Sequence, residues 1–508
     1  MPPKPPSLRR HSLPQLLQFA MQLLLGLLPM VVWANGPDQR PNILLCISDD
    51  QSWAHVGAMG DPVVQTPAFD RVAKEGLLFT HAFCDAPSCA PSRSAILTGQ
   101  HIWRLQEAAN LHCRLPENLI TYVQLLEQAG YATGSYAKAW APGQFKTTSG
   151  WVHHSQSRQN PAGQLFDNFE QFLQQRAVGQ PFCFWLGSHD AHRPYDLDAG
   201  LQAGMNPEAV QVPPHLPDTP VVRRDLLDYF FEIQRFDGLV AEALTALEQL
   251  GELDNTLVVI TSDNGMPFPR AKASLYDYGT RMPLAIRWPA KLQSPGRTSD
   301  ALVHLSDLAP TFLEAAGLTP PPGMTARSLM DLLLHQPTLE RKAVWMAMER
   351  HDGCREGGAG YPCRGLRTPN FLYIRNYAPD RWPAGDPDAA HCARAIPFGE
   401  VDSSPTKSLL MDRATEPALR KFYELAFGKR PAEELYDLRH DPGQLINVAT
   451  RPEYADRRQA MAAWLTQYTR DTGDPRALGQ YAPWDHYPYF GIRLNKDWKV
   501  DKDHGMPR

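Results

Sequence analysis

Asn42-Ile43-Leu44-Leu45-Cys46-Ile47-Ser48-Asp49-Asp50 is an unbroken apolar run of strand length that stops at two adjacent carboxylates. A run without polar alternation suits a strand buried on both faces, as in a parallel sheet covered by helices. The pattern recurs twice. Pro181-Phe182-Cys183-Phe184-Trp185-Leu186 runs into Gly187-Ser188-His189-Asp190-Ala191-His192, and Thr256-Leu257-Val258-Val259-Ile260-Thr261 runs into Ser262-Asp263-Asn264-Gly265. Further strands are expected at Leu77–Phe83, Tyr131–Ala137 and Pro283–Trp288. Helices are expected at Ala68–Lys74, Ile120–Gln128, Phe166–Arg176, Val222–Leu250 and Ser306–Ala316. This alternation predicts an α/β fold. Ligands in open α/β sheets bind beyond the carboxyl ends of the strands, so the polar strand tips are the candidate site.

At those tips, Asp49 and Asp50 repel each other unless a cation lies between them; the plain alternative is a polar loop that caps the next segment. Asp263 and the Asn264 amide add two more hard oxygen donors, a set that suits calcium better than zinc. The apolar stripe of Val222–Leu250 reads as core.

A second decisive stretch is Ser88-Cys89-Ala90-Pro91-Ser92-Arg93-Ser94-Ala95-Ile96-Leu97-Thr98-Gly99. Pro91 fits the first turn of a helix and Gly99 fits its left-handed stop. Cys89 is then expected just outside a helix N-terminus, where the dipole favours an anion. Arg93 follows one turn on. A thiol so placed is expected to be acidic and reactive. The alternative is a buried cysteine before an ordinary helix.

C-x-P-S-R followed by L-T-G resembles the signature of the type I sulfatases, and the motifs downstream extend the resemblance over roughly Pro41 to Asp474. It is strongest to the heparan N-sulfatase (sulfamidase)-like members, through Pro213–Tyr276 and its Pro267-Phe268-Pro269. The resemblance implies an alkaline-phosphatase-like fold: a large mixed β-sheet flanked by helices, with a smaller C-terminal α+β domain. Cys89 would be oxidised to Cα-formylglycine, the nucleophile. Asp49, Asp50, Asp263 and Asn264, with residue 89, would bind Ca2+. Arg93, Lys138 and Lys272 would neutralise sulfate, and His192 would protonate the leaving group. His189 would stand behind it, and Arg270 is a weaker basic candidate. Many relatives carry a histidine two residues after the lysine; here Trp140 stands there. Arg350, His351, Asp352 and Arg364 are expected on loops between strands, facing the sugar. Glu434-Leu435-Tyr436-Asp437-Leu438 belongs to the C-terminal domain, with strands at Ala343–Met348 and Leu366–Asn376 and a helix at Glu453–Tyr468.

The expected domains are a signal peptide over 1–34, a catalytic domain over 35–340, a C-terminal subdomain over 341–480 and a tail over 481–508 with no assigned function. Arg9, Arg10 and His11 before the apolar run Leu16–Trp33, with Val32-x-Ala34 after it, read as an export signal cleaved near Asn35. The rival reading is an uncleaved anchor. Cleavage implies a secreted or periplasmic protein without stable membrane insertion. The net charge of −5 argues against a nucleic-acid partner. None of the eight cysteines forms a C-x-x-C pair, against structural zinc. Cys354 and Cys363 are spaced as a loop-closing disulfide, though connectivity stays open. The implied partners are a sulfated carbohydrate and a formylglycine-generating or other sulfatase-maturing enzyme, with a homodimer left open.

The implied activity is removal of sulfate from a sulfated glycan, in its finer form from N-sulfoglucosamine of heparan-type fragments in glycosaminoglycan degradation. The alternatives are an O-sulfatase on another sulfated carbohydrate, a phosphonate or phosphodiester hydrolase of the same superfamily, or a glycan-binding protein whose Cys89 is never converted.

Overall fold

β1 (Asn42–Ser48) is buried along its whole length. It lies between β5 (Phe182–Gly187) and β6 (Thr256–Ser262), parallel to both. Ile47 sits opposite Gly187, and Ser48 opposite Ser262, so the three strands end level at one edge of the sheet. That register carries Asp49–Asp50, His189–His192 and Asp263–Asn264 to the same place. The computed structural model describes residues 1–4 and 40–501. The apolar run and cleavage site of the expected signal lie outside them. Among the described residues no helix is long and apolar enough to cross a membrane.

The other strands of this sheet are β2 (Leu77–Phe83), β3 (Ala132–Tyr136), β4 (Leu165–Phe166), β7 (Arg281–Arg287), β8 (Arg297–Ser299) and β9 (Val303–His304). The order is β8-β2-β7-β6-β1-β5-β3-β4, with β9 beside β2. β7 runs antiparallel to both its neighbours, which makes the sheet mixed. Alternate residues of β1 feed two cores. Ile43, Leu45 and Ile47 face α2 (Cys89–Thr98), α3 (Tyr122–Gln128) and α6 (Leu308–Ala315). Leu44 and Cys46 face α1 (Pro67–Glu75), α4 (Phe169–Gln175) and α5 (Pro220–Gln249). A strand buried on both faces needs apolar residues at every position, which is why the run shows no alternation. Phe236, Val240, Leu244 and Leu247 of α5 are core, each contributing about 1.5–3 kcal/mol on burial.

A four-stranded antiparallel sheet follows: β10 (Val344–Met348), β11 (Cys363–Arg367), β12 (Phe371–Asn376) and β13 (Glu433–Asp437). The expected strand Leu366–Asn376 is instead the end of β11, a turn and the whole of β12, the far arm of a hairpin. Pro369 offers no ladder donor, and Thr368 Oγ1 accepts from the Phe371 amide at 3.1 Å to close the turn. One face of this sheet packs on α9 (Ala455–Asp471), where Trp345 stacks on Tyr468 with centroids 3.4 Å apart. The other face packs on Phe83, Leu275 and Tyr276. Leu366, Tyr373 and Leu435 share one apolar cluster with Ile43 and Leu45, so the two sheets have a common core. Two shorter helices, α7 (Pro405–Asp412) and α8 (Pro417–Phe427), cross between β12 and β13.

The expectation about the disulfide changes. All eight cysteines are free thiols, so Cys354 and Cys363 are not paired. Cys363 is fixed in β11, whereas Cys354 packs beside Gly385 and Gly399. The segment after 480 is part of the fold: Trp484, Tyr489 and Trp498 are buried.

Candidate active site

α2 begins at Cys89 itself, with Ser88 as its N-cap, so the cysteine is the first helical residue rather than just outside the helix. Gly99 ends α2 at φ 62° with its amide on Ala95 O, as its left-handed freedom allows. The Ser88 hydroxyl makes no cap bond; it is 2.8 Å from His351 Nδ1, which ties the start of α2 to the C-terminal region. Cys89 Sγ lies 3.6 Å from Asp49 Oδ1 and 3.9 Å from Asp50 Oδ1.

Asp49, Asp50 and Asp263 are buried, and one oxygen from each lies within 4.8 Å of the others. Asp50 turns through the left-handed region (φ 65°). The Asp50 amide donates to Asp263 Oδ1 at 3.1 Å, and Asn264 Nδ2 donates to Asp50 Oδ1 at 2.7 Å. Asn264 Oδ1 is buried with no hydrogen-bond partner among the described residues. Each close carboxylate pair costs about 4 kcal/mol in Coulomb repulsion at an effective dielectric of 20. Burial pushes the Asp263 carboxyl up to about 6 despite Arg93. An orphaned amide oxygen beside three crowded carboxylates fits a hard divalent cation.

Three cations close around the acids. Arg93 is wholly buried; its Nε donates to Asp263 Oδ2 at 2.7 Å and its Nη1 to the Lys138 and Ala139 carbonyls at 2.6 and 2.8 Å. It stands behind the cavity wall rather than in it. Lys138 Nζ donates to Asp49 Oδ2. Gly187 lets that lysine's backbone approach, since a Cβ there would meet Lys138 O at 2.1 Å. Lys272 Nζ bridges Asp50 Oδ2 at 2.6 Å and Asp402 Oδ2 at 3.1 Å. Burial alone would raise the Asp49 carboxyl, but Lys138, His192, Arg93 and Lys272 outweigh it and hold it well below the usual range. Burial would lower both lysines, yet Asp49 keeps Lys138 raised, and Asp402 with Asp50 keeps Lys272 raised.

The thiol is not acidic. Burial dominates, Asp49 and Asp263 add to it, and Cys89 is raised well above an ordinary thiol despite Lys138 and Lys272. The helix terminus is outweighed chiefly by burial, with the carboxylates at the same tip adding to it.

The cavity above Cys89 has a volume of about 620 Å³. Its wall includes Asp49, Lys138, Lys272, His189, His192, His351 and Asp352. His192 Nδ1 lies 2.6 Å from Arg193 O, which turns Nε2 toward the cavity, 3.7 Å from Asp50 Oδ2. His351 is neutral: burial, then Lys272, push it down to about 3. Asp352 is gripped by Arg394 Nε at 3.1 Å and by the Tyr489 hydroxyl.

The two arginines read with them face elsewhere. Arg350 donates to the Tyr487 and Pro488 carbonyls at 2.8 and 3.0 Å. Arg364 is on β11, not a loop, bound to Asp474 and Glu349 at 2.7 Å each. Arg270 also turns away, onto the Gln444 carbonyl at 2.6 Å. Trp140 cannot do a histidine's work: it is buried, and its indole N–H donates to Ser94 Oγ at 2.8 Å, bracing α2. Residues that the sequence reading missed complete the wall: Asp402, Arg394, His112, His154, Glu232 and Arg235. No motif marks them; only Asp402 has a local cue, its place in the polar Asp402-Ser403-Ser404-Pro405 lead into α7.

Comparison with known proteins adds independent support. Residues 41–318 match the family model described as sulfatase, and residues 270–387 match the model described as N-sulphoglucosamine sulphohydrolase, C-terminal. The chain is 30% identical over 491 residues to an N-sulphoglucosamine sulphohydrolase from Homo sapiens, covering 86% of this chain and 91% of that one. It is 28% identical over 487 residues to a ulvan-active sulfatase from Formosa agariphila, covering 86% and 77%. Among solved structures, one determined with its substrate D-glucosamine-2-N,6-O-disulfate shares the fold at a TM-score of 0.59 and 20% identity, covering 86% of this chain and 98% of that one.

Proposed function

Because the chain belongs to the sulfatase family of sulfuric-ester hydrolases, we propose that it removes sulfate from N-sulfoglucosamine at the end of heparan-type fragments. The observation that carries this reading is the charge balance of the site. Arg93, Lys138 and Lys272 face Asp49, Asp50, Asp263 and Asp402, one negative charge in excess. A divalent cation held by Asp49, Asp50, Asp263 and Asn264 reverses that to one positive charge. A sulfate ester or sulfamate, with a single negative charge, then neutralises it.

The bound cation would supply electrostatic stabilisation of the sulfate oxygens. Residue 89, oxidised to Cα-formylglycine by a maturing enzyme, would supply a hydrated aldehyde as nucleophile. The chain's own side chains do the rest. Lys138 and Lys272 reach the sulfate from the cavity wall, and Arg93 fixes Asp263 from behind. His192, with Nδ1 held by the Arg193 carbonyl, delivers a proton from Nε2 to the departing nitrogen or oxygen. His351 and Asp352 meet the sugar. An amide anion or an alkoxide is a poor leaving group, so this proton is needed at the departing nitrogen or oxygen.

The 270–387 match supports the N-sulfated substrate. The likeness to the ulvan-active sulfatase supports a second reading, an O-sulfatase on another sulfated carbohydrate. The basic-then-apolar N-terminus supports export to the periplasm or beyond. The test is sulfate release by protein carrying formylglycine at residue 89, verified by peptide mass, from N-sulfated and O-sulfated glucosamine disaccharides. Release from the N-sulfated sugar alone supports the proposal. Release from O-sulfated sugars alone supports the second reading. Turnover of phosphodiesters without sulfate release overturns both.

A further inference from the structure

The segment Met266–Tyr276 has two basic sides. Lys272 faces the catalytic cavity, while Arg270 faces a separate cavity of about 420 Å³ between this segment, α8 and the start of β13. Arg270 and Arg430 share the Tyr276 ring there, their guanidinium carbons 3.7 and 5.0 Å from its centroid. Arg270 is fully employed by the Leu425 and Gln444 carbonyls. Arg430 is not. It rests on the rings of Tyr276 and Tyr361, its Nε is buried, and among the described residues it makes no hydrogen bond or ion pair.

The one carboxylate inside is Glu434, and it is spent on neutral donors. Its Oε2 accepts from the Tyr276 and Tyr436 hydroxyls at 2.7 Å each, and its Oε1 from Asn376 Nδ2 at 2.7 Å. At the lip, Lys421 and Lys429 are exposed and have no carboxylate partner among the described residues; Glu424 is taken by Arg420 at 2.9 Å. The lining thus holds four cations, Arg270, Arg430, Lys421 and Lys429, against two carboxylates, Glu434 and Glu424, both already engaged. Two aromatic rings and the nearby Glu434 favour the Arg430 charge, but its N–H donors are unspent, and its planar fork matches an oxyanion.

We propose that this cavity is a second anion site, which takes a sulfate group of a glycan chain at a distance from the sugar being cleaved. Arg430 would bind it at the floor and Lys421 with Lys429 at the rim. The chemical class follows from the donors; its attachment to a glycan rests on the function proposed above. A long polyanionic substrate would then be held at two places, and a single sugar at one. Holding at two places raises effective concentration without any change in the chemistry.

The test uses the full-length matured protein with Arg430→Gln and, separately, the exposed pair Lys421→Gln/Lys429→Gln, which leaves the packing of Tyr276 and Tyr361 untouched. For a long sulfated glycan KM is expected to rise about tenfold in Arg430→Gln and about fivefold in the lysine pair, with a shallower salt dependence. For a single sulfated sugar kcat/KM is expected to stay within about twofold of wild type, because the catalytic cavity is not touched. Equal changes for both substrates, or no change for the long one, overturn the site. Calorimetry with a sulfated hexasaccharide reads the site without turnover. Binding weakened in both variants supports it even if the wild type hydrolyses no sulfate, a result that would sink the proposed function instead. Inorganic sulfate binding as tightly as the hexasaccharide would overturn the glycan assignment.

Discussion

Lys138→Met tests the charge balance directly. The methionine keeps most of the stem's volume and removes only the ammonium, which is buried against Asp49 at the cavity wall. With the divalent cation bound, the site then has no net positive charge left for the sulfate. A unit charge about 4 Å from another is worth about 4 kcal/mol at an effective dielectric of 20, a suitable value because Lys138 is 9% exposed and Asp49 1%. Three losses follow together: direct attraction to sulfate, neutralisation of Asp49, and orientation of the Asp49 carboxylate. The first alone predicts a drop of about a thousandfold in kcat/KM. The assay is initial-rate sulfate release by matured protein, with residue-89 conversion equalised by peptide mass and folding checked by thermal melting. A fall of less than tenfold would refute the reasoning, because it would mean that solvent rather than Lys138 balances the sulfate charge.

Asp263→Asn removes one carboxylate from the oxygen cluster and should weaken Ca2+ binding more than tenfold, read as a smaller rise in melting temperature on adding the ion; an unchanged rise argues against the assigned ligands. His192→Gln should cost about a hundredfold or more on a sugar substrate but much less on an aryl sulfate, whose leaving group needs no proton; equal losses on both would remove its role as acid. Tyr489→Phe deletes one hydrogen bond to the charged Asp352, worth about 1.5–3 kcal/mol, and should raise KM with kcat little changed; the reverse split would mean that Asp352 does not meet the sugar. His215 and His304 are buried and neutral, each pushed down to about 3 by burial. Unfolded, they bind protons from about pH 6.5, so the unfolded state holds more protons between roughly pH 6.5 and 3 and stability falls as pH falls through that window. His215→Phe should flatten the melting temperature against pH there; an unaltered slope would show that His215 already titrates normally in the fold.

Much of the architecture was readable in the chain because burial on both faces leaves a local mark. The run Asn42–Ile47 has no alternation, since β1 feeds a core on each side. Gly99 marks the end of α2, since its left-handed φ turns the chain out of the helix while its amide still bonds Ala95 O. The donors at the tips, Asp49, Asp50, Asp263, Asn264 and Lys138, are legible because each follows its strand directly. Tertiary structure decided the rest. Whether Arg350 or His351 faces the cavity depends on which way a loop leaves β10, and neighbouring residues point opposite ways. Asp402 meets Lys272 across 130 positions of chain, and Asp352 is held by a tyrosine 137 residues on. The state of Cys89 was set the same way: a helix terminus is a local feature, but burial beside carboxylates from two other strands outweighs it. Sequence determines which groups are delivered to an edge; the long-range packing of strands and loops determines which of them touch, and the electrostatics of a site belong to the touching groups.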